Sequence, residues 1–206
     1  MGVNFGDLDN DGLLDIYVGT GNPDLSTLVP NRMFRNDGGR RFQDVTTAGD
    51  FGHLQKGHGI AFGDVDDDGD QDVFEQMGGA VTTDTSHSVL FANPGNGNAW
   101  IELTLEGAQS SRSAIGARIA VTVERPSGRR VFHRTVGSGG SFGASPLRQH
   151  IGLGDARNVV SLELRWPTTG RTQVFTGLEL RHRYHLREGE TRARRVDRAS
   201  FKLAGL

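Results

Sequence analysis

Apolar and polar residues alternate with a period of two through much of the second half of the chain. Ile101, Leu103 and Leu105 fall on one side, with Glu102, Thr104 and Glu106 on the other. Ala117, Ile119, Val121 and Val123 repeat the pattern, as do Val160, Leu162, Leu164 and Trp166. Successive side chains of an extended strand point to opposite faces, so these segments predict strands with one face buried. Breaks at Ser127-Gly128 and Thr169-Gly170 read as turns, and together the segments predict a small antiparallel sandwich or barrel. Trp166, in phase with Leu164, is expected in its core. In the first half the apolar runs are shorter: Val3 to Phe5, Ile16 to Val18, Ile60 to Phe62, and Val73-Phe74. These also read as strands, and no stretch keeps the 3.6-residue period of an amphipathic helix. The pattern predicts an all-β protein.

The short strands bracket two copies of one acidic loop. Asp7-Leu-Asp-Asn-Asp-Gly-Leu-Leu-Asp15 and Asp64-Val-Asp-Asp-Asp-Gly-Asp-Gln-Asp72 both read D-x-D-x-D-G-x-x-D, offset by 64 − 7 = 57 residues. Carboxylates crowded in this way repel one another unless a cation sits between them. An all-oxygen set with flexible geometry suits Ca²⁺. Asp7, Asp9 and Asp11 can turn their carboxylates to a common centre, Gly12 allows the tight turn, Leu13 stands where a backbone carbonyl is the ligand, and Asp15 closes the cage. The second loop repeats this with Asp64, Asp66, Asp68, Gly69, the carbonyl of Asp70, and Asp72. The competing reading is a pair of solvated Asp/Gly turns that bind nothing, and two loops in register weigh against it.

An EF-hand is the other competitor, since Glu75 stands at position twelve of the second loop. An EF-hand needs a helix on each side, whereas His58-Gly-Ile-Ala-Phe-Gly63 and Met77-Gly-Gly79 carry glycines that weaken helices. The first loop has Val18 at position twelve, which cannot ligate.

Phe5-Gly-Asp-Leu-Asp-Asn-Asp-Gly12 and Phe62-Gly-Asp-Val-Asp-Asp-Asp-Gly69 resemble the calcium loops of FG-GAP (VCBS-type) propeller repeats. Asn31 to Gly39 and Arg41 to Thr46 resemble two further strand signatures of such a blade. From Trp100 to Glu188 the chain resembles the ASPIC/UnbV domain that follows these repeats in cartilage-acidic-protein-like proteins, through Ile115 to Val123, Gly137 to Phe142, His150 to Asp155 and Val160 to Pro167. The resemblance implies a partial β-propeller over residues 1–98, with one complete blade and the leading strand of a second, and a small β domain over 99–188. A polar, aperiodic segment over 189–206 is expected to be a flexible tail. Because a propeller needs more blades than this, the chain is expected to be an N-terminally truncated fragment, its signal peptide lost with the missing part. The resemblance further implies a secreted, periplasmic or cell-surface module that adheres to a protein or carbohydrate, the rival being a carbohydrate-binding accessory of an extracellular enzyme.

Charge sharpens the domain division. Residues 1–98 carry 5 − 16 = −11 and residues 99–206 carry 18 − 9 = +9, with a boundary expected at the turn-rich Asn93 to Asn98. Arg129, Arg130, Arg134, Arg181, Arg183 and Arg187 could form a nucleic-acid patch if their strands are neighbours. No aromatic stacking platform accompanies them, so the alternatives are solubility or contact with the acidic half. Cysteine is absent, which excludes disulfides and thiolate metal sites. No run of eighteen apolar residues exists to span a membrane. Gly139-Gly-Ser-Phe-Gly143 matches the literal G-x-S-x-G pattern, but that motif needs a strand entering a helix, and the glycines here predict a loop. The histidines lack H-E-x-x-H spacing. No catalytic residues are expected.

Overall fold

The computed structural model describes residues 2–203 except 23, 25, 80, 81, 83 and 84. Among the described residues there is no helix, and all regular structure is strand. β1 (Val3–Gly6), β2 (Asp15–Val18), β3 (Arg32–Asp37) and β4 (Arg41–Asp44) form an antiparallel meander in sequence order. β5 (Gly57–Gly63), β6 (Asp72–Met77) and β7 (Val89–Phe91) form a second. Each acidic loop joins the first two strands of its sheet. Gly6 pairs with Asp15 and Gly63 with Asp72, so the loops close at the same register.

The repeat runs further than the loops. Asn36 and Asn93, again 57 residues apart, each donate a backbone N–H to the last carboxylate of their loop, Asp15 at 2.8 Å and Asp72 at 2.9 Å. Their side-chain amides each donate to a loop carbonyl, of Leu14 and Gln71, at 3.1 Å. The second sheet therefore has three strands, where the resemblance implied the leading strand alone and the apolar runs implied two. A fourth strand equivalent to β4 would begin near residue 98, where the chain instead enters β8 (Ala99–Glu106) of the other domain. Tyr17, Met33, Phe51, Ile60, Phe62 and Val73 form the apolar cluster between the two sheets. Within it Tyr17 Oη donates to Glu75 Oε2 at 2.7 Å. Glu75 is thus part of this interior rather than an EF-hand ligand.

The second domain is a two-sheet sandwich. One sheet has the order β10 (Gly128–Thr135), β9 (Arg118–Arg125), β12 (Asn158–Arg165), β13 (Thr172–Phe175). The other has the order β11 (Gln149–Gly154), β8, β14 (His182–Arg187), β15 (Arg194–Val196). Ile101, Leu103, Ile119, Val121, Leu162, Leu164 and Trp166 meet between them, each almost wholly buried. A buried side chain of this kind contributes about 1.5–3 kcal/mol, so this core holds the domain.

Four details depart from the alternation argument. β14 runs parallel to β8, so that sheet is mixed rather than antiparallel. A parallel pair needs a long crossover connection, and here the intervening strands supply it. On β12 the register shifts between Val159 and Ser161. This irregularity turns Val159, not Val160, into the core. Glu102, expected on an open polar face, is buried, because the outer face of β8 is covered by the acidic loops. The segment expected to be a flexible tail supplies β15, which pairs Tyr184 with Arg195, and its Phe201 N–H donates to the carbonyl of Asp66 at 2.9 Å. Backbone pairing along an open strand edge needs no apolar periodicity, so the composition gave no sign of it.

Candidate metal centres

The two acidic loops share one local geometry. Their fourth residues, Asn10 and Asp67, lie at φ 54° and 58°, and their turn glycines, Gly12 and Gly69, at 89° and 99°. In each, the glycine N–H donates to the first carboxylate at 3.0 Å, Gly12 to Asp7 and Gly69 to Asp64. The following N–H donates to the third carboxylate, Leu13 to Asp11 at 2.7 Å and Asp70 to Asp68 at 2.9 Å. The backbone thereby folds the first and third carboxylates back over the loop. Carboxylate oxygens of Asp7, Asp9 and Asp11 come within 4.8 Å of one another, and so do those of Asp64, Asp66 and Asp68.

The remaining expected ligands are placed differently. Asp15 and Asp72 stand at the loop exits, outside these three-residue clusters. Both oxygens of each are held by amides, those of Leu8 and Asn36 for Asp15 and of Val65 and Asn93 for Asp72. The side chain of Asp70 accepts from Asn10 Nδ2 at 2.9 Å and Asn96 Nδ2 at 3.2 Å, which ties the loops together. That side chain is committed to the contact between loops.

Two observations test whether a cation fits. Asp9 Oδ1 and Asp66 Oδ1, at the same position of the two loops, are buried and meet no hydrogen-bond donor. Burial also pushes most of these carboxyls upward: Asp7 to about 8 against the opposing charge of Arg134, and Asp15 to about 6 against its two amides. Asp70 rises to about 6, through burial and then the charge of Asp68. Asp9, Asp64, Asp68 and Asp72 move in the same direction, burial leading in each. An ionised carboxylate removed from water needs a partner, and a hard divalent cation at the convergence of these oxygens would be one. The residues present fit Ca²⁺, with Asp7, Asp9 and Asp11 in one loop and Asp64, Asp66 and Asp68 in the other.

The sandwich supplies the surroundings. Arg134 Nη2 lies 3.2 Å from Asp7 Oδ2, and Arg183 Nη2 lies 2.8 Å from Asp64 Oδ2. Arg148 pairs with Asp67 at 2.9 Å and donates to the carbonyl of Asp64 at 2.7 Å. A Cβ on Gly12 would fall 2.0 Å from the Phe132 ring, and one on Gly69 would fall 2.2 Å from the Trp100 ring. Each loop turn is therefore seated on an aromatic side chain, in a backbone conformation that also favours glycine. Asn98 Nδ2 donates to the carbonyl of Asp9 at 2.7 Å and Asn93 Nδ2 to that of Leu8 at 2.7 Å. The expected linker is thus a strap over the first loop.

A third cluster, Asp64, Glu102 and His150, lies between the domains. Arg148 and Arg183 stand 3.1 and 3.2 Å from Glu102, so the cationic role there is filled by guanidinium groups. His150 Nε2 is 2.7 Å from Asn10 Oδ1, and the ring stacks on Trp100. Burial, reinforced by the three neighbouring arginines, holds it down to about 3, in the neutral form.

Of the arginines expected to form a basic patch, Arg134 and Arg183 face the acidic loops. Arg129 pairs with Glu124, Arg187 with Glu106 and Glu190, and Arg181 donates to the carbonyl of Gly97. The G-x-S-x-G segment meets no helix. It lies along β5, with the Ile60 N–H donating to the carbonyl of Phe142 at 2.9 Å. The sequence missed Arg148, Gly152, Trp100, Phe132 and Asn98 as groups around the loops. The opposite charges of the two halves were a signal for an arginine such as Arg148, and carried none for the uncharged groups.

Comparison with known families agrees with this geometry. The FG-GAP-like repeat matches residues 7–75, and the ASPIC and UnbV family matches residues 107–193. No curated protein matches the chain. β8, which precedes the second match, is nonetheless a central strand of the sandwich.

Proposed function

Because the chain is an FG-GAP-repeat protein with a C-terminal ASPIC/UnbV domain, we propose that it is a calcium-binding, non-catalytic interaction module of a secreted or surface protein. Repeats of this kind are typical of extracellular or surface proteins, and both domain types are generally non-catalytic. The observation that carries the calcium reading is the matched pair of buried, donorless oxygens, Asp9 Oδ1 and Asp66 Oδ1, each within a convergent set of carboxylates. Calcium's role in this reading is structural. It turns two repulsive hairpin connections into rigid ones and links folding of the repeat half to the metal. Extracellular modules bind calcium with dissociation constants of roughly 0.1–1 mM, and sites of that strength are filled outside cells and empty in cytosol. The surface so stiffened is proposed to bind a protein or carbohydrate partner.

Isothermal titration of EDTA-stripped protein with Ca²⁺, with thermal melts alongside, tests this. The expected result is two sites and a raised transition for the repeat half. No heat of binding and no shift would mean that the loops are plain turns.

A further inference from the structure

We propose that the sandwich domain completes the two calcium loops: Arg134 and Arg183, with the Gly152 amide, are positioning groups that orient the first carboxylate of each loop, so that calcium binding and docking of the two domains strengthen each other. This rests on the calcium reading above. It differs from it in assigning part of each site to a domain that offers no metal ligand.

The contacts are matched between the loops although they come from unrelated strands. The first carboxylate of loop one, Asp7, meets Arg134 of β10, and that of loop two, Asp64, meets Arg183 of β14. Three donors converge on Asp7 Oδ2: the Gly12 N–H at 3.0 Å, the Gly152 N–H at 3.1 Å and Arg134 at 3.2 Å. Two of the three belong to the sandwich. On Asp64, Oδ2 takes the Gly69 N–H at 3.0 Å and Arg183 at 2.8 Å, while Oδ1 takes the Asp68 N–H at 3.0 Å. Groups behind a metal ligand that fix its orientation typically change affinity by about 10–100-fold when removed. The loop backbone is gripped as well, through the Gly154 N–H to the carbonyl of Asn10 at 2.8 Å and Arg148 to that of Asp64 at 2.7 Å.

The sign of the coupling follows from two opposing effects. A guanidinium beside a ligand repels the incoming cation, which alone would make docking and calcium compete. Against this, the docked loops already have their first carboxylates oriented, and each contains a buried oxygen without a donor. A buried acceptor that has lost water and found no donor is costly. Groups from beyond the repeats close over both residues, Asn98 on the carbonyl of Asp9 and the Phe201 N–H on that of Asp66, so a loop freed from them could return the oxygen to water, whereas the docked loop needs the cation. Calcium therefore stabilises the docked arrangement more than the separated one, and by linkage docking must raise calcium affinity by the same factor.

The test uses the full chain and two readouts. Hydrogen exchange of the Gly152 and Gly154 amides reports docking, because their acceptors, Asp7 Oδ2 and the carbonyl of Asn10, lie on loop one. Isothermal titration reports affinity. In the unaltered chain, saturating Ca²⁺ is expected to slow exchange at both glycines. Arg134→Gln with Arg183→Gln should weaken calcium by roughly tenfold or more and abolish the slowing. Arg134→Lys with Arg183→Lys keeps the charges but not the fork, and should recover only part of the affinity. Tighter calcium binding in the glutamine variant would overturn the proposal in favour of competition. Calcium binding in the unaltered chain with no change in glycine exchange would overturn it too, while leaving the calcium module intact. Absence of any calcium binding would remove both. The exchange measurement needs no substitution, so the test survives a variant that fails to fold.

Discussion

In the sandwich, residues from Ala99 to Leu186 close on a continuous apolar core in which Leu103, Leu162, Leu164 and Trp166 have no exposed surface. Among the described residues of the repeat half the buried apolar cluster is Tyr17, Met33, Phe51, Ile60, Phe62 and Val73, with Leu8, Val45 and Phe91 packed against it. Much of what is buried beside it is polar: Asp7, Asn10, Asp15, Asn31, Asp64, Asp72 and Glu75. Short strands of three to seven residues offer few inward positions, so this half relies on carboxylates held by amides, by arginines from the sandwich and, in our reading, by calcium. One half is stabilised by removing apolar surface from water and the other by satisfying buried charge. Their responses to metal, pH and mutation should therefore differ.

Calcium gives the largest expected contrast. At a free concentration a hundredfold above each dissociation constant, each site adds about 2.7 kcal/mol, or roughly 5 kcal/mol for the pair. Differential scanning fluorimetry should show this gain in the repeat half, and Asp9→Asn with Asp66→Asn should remove it while the sandwich stays folded. Collapse of both domains in that variant would break the comparison. Leu164→Ala comes next. It opens a cavity in the sandwich core and should cost about 2–5 kcal/mol, by a similar amount in EDTA and in calcium. A penalty that depended on calcium would show that the two halves do not use separate forces.

Glu75 sharpens the contrast through pH. Burial pushes its carboxyl from 4.5 up to about 7, against the Tyr17 hydrogen bond. Its folded pKa lies above its unfolded one, so the protonated form's contribution is present below about pH 4.5 and lost as pH rises toward about 7, by about 3 kcal/mol at most. Urea titrations in saturating calcium should show this decline, and Glu75→Gln should flatten it and stabilise the protein at neutral pH. The smallest effect is expected at Arg32 and Asp44, a half-exposed surface pair at 2.8 Å. Arg32→Ala should change stability by less than about 1 kcal/mol, and by less still in high salt. A larger loss would mean that exposed pairs also carry the repeat half.

The sequence by itself determined the all-β class, the two acidic loops, the 57-residue repeat and the alternation that builds the sandwich core. Each rests on local rules: a strand alternates its faces whatever it packs against, and an Asp/Gly loop closes through its own backbone amides. Tertiary structure decided the rest. Val159 replaces Val160 in the core because the register of β12 shifts against β9. Glu102 is buried because the acidic loops cover the outer face of its sheet. The charge difference between the halves announced an attraction but not which arginines serve it. Arg134 and Asp7 are 127 residues apart, and Arg183 and Asp64 are 119. The two-residue period sets Arg134 apart from Arg129 but not from Arg130, on the same face of the same strand, since a guanidinium's partner is set by which surface the folded domain turns toward it.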